Sequence, residues 1–75
     1  MSDATATQRD VGMHRKVLRT KAEMTIRGLA LAAGVSHPTV LAAEAGTTVN
    51  EGTLRKLAAA LGCTAAEYLG PDLAP

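Results

Sequence analysis

Apolar residues along the chain recur every three or four positions, the period of a helix packed on one face, and they fall into five stretches. The first predicts a helix over about Asp10–Ala22, with Asp10 as its cap and Val11, His14 or Arg15, Leu18 and Ala22 on one side. Thr25 opens a second, whose inner positions are Leu29, Ala30 and Ala33 and which Gly34 can close in the left-handed conformation. Ser36 caps a third, with Pro38 in the first turn, where a missing N–H costs nothing. Val40, Ala43 and Glu44 share one side of it, Gly46 ends it, and Thr47–Asn50 form a loop. A fourth helix covers about Glu51–Leu61 with the stripe Leu54, Leu57, Ala58 and Leu61, and Gly62 stops it. Thr64 caps a short last helix, Ala65–Leu69, with Glu67 at the third position of a capping box.

Seventy-five residues allow one small domain, which buries only about 60–65% of the surface its unfolded chain exposes. The chain divides into a disordered tail at 1–9, a folded unit at 10–70 and a tail at 71–75. Tyr68 is the one aromatic, so Ala and Leu must build the core, and such a core suits helices better than sheets. The expected class is all-α. Cys63 stands alone, which excludes a disulfide framework and a Cys-rich zinc site. No apolar run approaches the ~20 residues that span a bilayer, so no membrane partner is expected and the setting is read as the cytoplasm. The candidates for catalysis or metal binding are His14, His37 and Cys63, and they fit no metal-ligand spacing. Catalysis, metal and cofactor are all unexpected.

Charge is unevenly spread. Residues 9–27 carry Arg9, Arg15, Lys16, Arg19, Lys21 and Arg27 against Asp10 and Glu23, whereas Gly28–Leu54 has no Lys or Arg at all. A cationic first helix can hold phosphates, or it can be an ordinary solvated face.

A short helix, a glycine turn and a second short helix must cross steeply, which pushes the second outward as a ridge. The run MTIRGLALAAGVSHPTVLAAEAG, Met24–Gly46, resembles the Cro and phage-repressor (XRE-type) helix-turn-helix family. The shared features are Leu29 and Ala30, then Gly34-Val35-Ser36, Val40, Glu44 and Gly46. TLRKLAAALGCTAAEYL, Thr53–Leu69, is similar to the family's fourth and fifth helices. The resemblance covers about Leu18–Leu69 and implies a compact five-helix bundle of the lambda-repressor-like type with a central helix-turn-helix. It implies an ion pair between Arg19 and Glu44, and a dimer surface at Ala65, Tyr68, Leu69 and Leu73.

The implied function is sequence-specific DNA binding by a phage or mobile-element regulator, a homodimer that inserts helix 36–45 in the major groove of an operator. The contact set would be Arg19, Lys21, Ile26, Arg27, Ser36, His37, Pro38, Thr39, Leu41 and Ala42. Yet Ile26 stands where relatives usually carry a phosphate-binding Gln, and His37, Pro38 and Ala42 occupy base-reading positions that often hold Gln, Arg, Asn or Ser. Ile26, Leu31, Leu41, Ala42 and Ala45 are all expected to face outward. They are either scattered surface residues or the face of a repurposed motif that takes a protein partner through Ile26, Leu31, Leu41 and Ala45, as an antirepressor or anti-host factor would. An antitoxin-like module contacting both DNA and protein is a third reading.

Overall fold

The computed structural model describes residues 8–70. Five helices occupy them: α1 (Gln8–Lys21), α2 (Ile26–Ala33), α3 (His37–Glu44), α4 (Glu51–Leu61) and α5 (Ala65–Leu69). Of the segments read as tails, 1–9 and 71–75, residues 1–7 and 71–75 lie outside the described residues, Leu73 among them, whereas Gln8 and Arg9 belong to α1.

Helices α2 to α5 each start where a side chain can take up a free backbone N–H. The Thr25 hydroxyl accepts from the Gly28 amide at 2.9 Å, and Ser36 Oγ accepts from the Thr39 amide at 3.3 Å. Asn50, assigned to a loop by the sequence, caps α4 through the Thr53 amide at 2.7 Å. Thr64 and Glu67 form the reciprocal box, with amide bonds of 3.1 and 2.8 Å. α1 departs from expectation. It begins two residues before Asp10, which therefore lies in the first turn, where its charge favours the helix dipole.

The packing is a closed ring: α1 lies on α3 and α5, α2 on α3 and α4, and α4 on α5. Leu29, Val40, Ala43, Leu57 and Tyr68 are fully buried at its centre. Between α2 and α3 the chain turns through 113°. Gly34 makes that turn possible with φ +72°, a conformation that costs a β-carbon ~1 kcal/mol or more. Val35 then closes the elbow by donating to the Ala30 carbonyl at 3.0 Å.

Two features of α1 hold α3 in place. A β-carbon on Gly12 would stand 2.2 Å from the Glu44 carbonyl oxygen, so glycine alone lets α1 cross so near the end of α3. Arg15, one turn on, is buried: Nη1 donates to the Ala43 carbonyl at 3.0 Å and Nε to the Tyr68 carbonyl at 3.3 Å. Its guanidinium also lies 5.3 Å from the centre of the Tyr68 ring. Burial lowers the Arg15 pKa, but a guanidinium starts so high that it stays charged. Arg15 thus fills the inward position left open between it and His14. His14 instead donates from Nε2 to the Glu67 carbonyl at 2.6 Å and ties α1 to α5. Ala22, expected on the inner face, is exposed beyond the helix end.

Several expected surface positions lie inward. Tyr68 has no accessible surface, so it belongs to the core and not to a dimer face. As the largest apolar side chain in a Phe- and Trp-free chain, it fills space that Ala and Leu cannot. Ile26 is half-buried and packs against the core, and Ala42 is half-buried as well. Leu31, Leu41 and Ala45 are exposed.

Candidate nucleic-acid interface

The solvent-facing ridge is the outer side of α3. Its first turn presents His37 and Pro38, both exposed, on a helix start fixed by Ser36. Ser36 Oγ and Thr39 Oγ1 lie 2.7 Å apart and share one hydrogen bond, which orders both side chains. Leu41 follows on the same helix with 45% of its surface open. A helix presented by its N-terminal turn is the form in which side chains reach base edges in the major groove, which is wide enough to admit it.

The ridge is anchored from behind. Arg19 Nε meets Glu44 Oε2 at 2.5 Å and Nη2 meets Oε1 at 3.2 Å, a two-pronged contact between α1 and the last residue of α3. The remaining nitrogen, Nη1, donates to the Met24 carbonyl at 2.8 Å. Both side chains are nearly closed off, at 9% and 7% exposure. Arg19 is therefore a positioning residue rather than a phosphate contact: each of its nitrogens is already engaged inside the fold. A planar fork suits this task, since it satisfies a carboxylate and a carbonyl at once.

Of the other proposed contacts, Lys21, at the end of α1, and Arg27, in the first turn of α2, are exposed. Ile26 offers only part of its side chain, because the rest packs inward. Thr39 and Ala42 are half-buried. The exposed set is thus Lys21, Arg27, Ser36, His37, Pro38 and Leu41, all on α1, α2, α3 or the turn between the last two. Thr47, Thr48 and Asn50 are exposed beyond α3, although the Asn50 carbonyl is occupied as a cap.

Sequence reasoning missed the close approach at Gly12, the carbonyl partners of Arg15 and the His14 contact. A glycine inside a predicted helix was the available signal for Gly12, because it costs up to about 1 kcal/mol against Ala unless closeness requires it. No signal near Arg15 in the chain could reveal carbonyl partners 28 and 53 residues away. Among the described residues no group of His, Cys, Asp and Glu is arranged to hold a metal, and no single helix is long and apolar enough to cross a membrane.

Comparison with known proteins agrees with this geometry. A family model described as helix-turn-helix matches residues 16–68, well over half of the chain. No curated protein matches it. The matched span contains the 113° elbow, the anchored ridge, α4 and all but the last residue of α5, and on that basis the chain belongs to the XRE-type helix-turn-helix family and is a DNA-binding regulator.

Proposed function

We propose that this regulator is a Cro- or repressor-type transcription factor of a phage or mobile element, working in the cytoplasm. It inserts α3 in the major groove as a homodimer and blocks or alters promoter use. The observation that carries this reading is the exposed N-terminal turn of α3, held at 113° to α2 and fixed from behind by the Arg19–Glu44 pair. His37 can donate to guanine N7 or O6, and Leu41 can meet a thymine methyl. Lys21 and Arg27 supply phosphate neutralisation, which dominates non-specific affinity. With so few cations and one polar base-reading side chain, a monomer binds weakly. Two half-sites one helical turn apart provide the rest, and DNA shape contributes to recognition. With Tyr68 assigned to the core, the dimer contacts are Ala65 and Leu69 of α5, both half-buried, together with Leu73 beyond the described residues.

Fluorescence anisotropy on random and promoter duplexes at low salt tests it. Arg27→Ala and Lys21→Ala should weaken binding to every sequence and reduce the salt slope by about 1 each, whereas His37→Ala should relax sequence preference. No association at micromolar protein would remove the DNA reading. One observation favours a second reading, a protein-binding helix-turn-helix: Leu31 is 78% exposed and Leu41 45%. In that case Leu41→Asp abolishes partner capture while the domain stays folded.

A further inference from the structure

A groove of about 520 Å³ opens between α1 and the C-terminal end of α3, lined by Arg9, Gly12, Met13, Lys16, Glu44 and Ala45. The DNA-binding reading leaves it unused. His37 and Pro38 stand at the opposite end of α3, about 10 Å away at 1.5 Å per residue.

The lining has a definite chemistry. The Glu44 carboxylate is taken up by Arg19, so Arg9 and Lys16 set the charge. Both are exposed, and neither makes an ion pair among the described residues. Met13 lies between them with 56% of its surface open, and Val17, 40% open, continues the apolar line along α1. Arg9, Met13 and Lys16 are spaced by four and three residues, which places them on one stripe of the helix. The two cations are about 10 Å apart along the axis, with a large flexible apolar side chain between them.

We propose that this stripe docks an acidic helical segment of a protein partner. The segment carries two carboxylates seven residues apart, one for Arg9 and one for Lys16, and an aliphatic side chain between them that covers Met13 and Ala45. This is the charge-flanked apolar pairing by which two helices recognise each other in register. A phosphate backbone would match the cations but would leave Met13 uncovered, so the apolar centre favours a peptide over a nucleic acid. The site is independent of α3's base-reading turn.

The test uses the full chain and a fluorescein-labelled peptide of about 16 residues, long enough to hold a helix, with Glu at the two outer positions and Leu at the inner one. Saturable binding is expected, and R9E/K16E should lose at least about tenfold in affinity. The same variant should regain it toward a peptide with Lys in place of both Glu. Met13→Asp should also lose binding, with far-UV circular dichroism showing the helices intact. If R9E/K16E does not fold, replacing the peptide's Glu by Gln makes the same test from the other side, and undiminished binding then overturns the proposal. It is also overturned if the parent chain ignores the acidic peptide, or if R9E/K16E binds that peptide as well as the parent does. Loss of random-duplex binding in R9E/K16E with no peptide binding by the parent would make the groove a phosphate contact, and would equally refute it.

Discussion

Gly12→Ala sets two effects of opposite sign against each other, and the structure decides between them. Helix propensity alone favours the change by about 1 kcal/mol, since Gly12 lies within α1. The added β-carbon, however, would meet the Glu44 carbonyl oxygen at 2.2 Å, its carbon at 2.9 Å and the Gly46 nitrogen at 3.0 Å. All three are backbone atoms, so no rotamer change relieves them. Restoring ordinary contact at ~3.5 Å requires α1 and α3 to part by roughly 1 Å, which forfeits part of the dispersion attraction along their contact. The Arg15–Ala43 bond, 3.0 Å long, would stretch beyond hydrogen-bonding range. Leaving a buried guanidinium and carbonyl less well paired costs about 1–3 kcal/mol, and overpacking strain adds about 1–3 kcal/mol more. After the propensity gain the net loss is about 1–5 kcal/mol, with Tm falling by about 4–8 °C for each kcal/mol in a domain of this size. Gly52→Ala is the control. That glycine is exposed in the first turn of α4, and its β-carbon would meet nothing nearer than Asn50 Oδ1 at 3.5 Å, so propensity should prevail and stability should rise by up to ~1 kcal/mol. Urea and thermal melts followed by far-UV circular dichroism measure both. If Gly12→Ala stabilises the chain as Gly52→Ala does, the close crossing of α1 over α3 is wrong.

Other changes probe the core and the anchor. The Tyr68 hydroxyl is buried without a hydrogen-bond partner among the described residues, so Tyr68→Phe should leave stability unchanged or raise it by about 1 kcal/mol in urea melts. Burial pushes the Tyr68 pKa up to about 12, while the unfolded chain ionises near 10. The unfolded state therefore loses its proton first, and stability should fall as pH rises from about 10 to 12, by up to ~1.4 kcal/mol per unit. Tyr68→Phe should flatten that slope, and an unchanged alkaline profile in the variant would contradict the assignment. Arg19→Ala and Glu44→Ala should each cost about 3 kcal/mol, since either leaves a nearly buried charge unpaired. A double-mutant cycle should return a coupling of about 1–3 kcal/mol; additive losses would mean the two side chains do not act as a pair.

What the sequence made legible was local. Thr25, Ser36, Thr64 and Glu67 could be read as caps because a cap bonds three residues on, within one turn of chain. Gly34 was legible for the same reason, since the turn follows from its own backbone. What stayed hidden depended on distant residues. Helical phase leaves His14 and Arg15 as alternatives for the inner face, and Arg15 takes it because the carbonyls of Ala43 and Tyr68, distant in the chain, converge on it. Arg19 as a DNA contact follows from its charge, whereas the Glu44 pair that the resemblance implied, together with the Met24 carbonyl, draws it inward. Tyr68 was placed at a dimer surface by family likeness. The chain's own composition argued otherwise, because a domain with a single aromatic side chain gains most by burying it. Ile26 shows the limit of reading a face from helical phase alone: it opens α2 at the edge of the core and is shared between solvent and packing.

Amide NMR of the labelled chain, titrated with a promoter duplex, reports directly on whether α3 is the element that meets DNA. The largest shifts should fall on His37, Thr39 and Leu41 with Arg27 beside them, while Leu57, Ala58 and the outer side of α4 stay nearly fixed. Shifts confined to α4 and α5, or a ridge that stays unmoved while the duplex is bound, would show that α3 does not enter the groove.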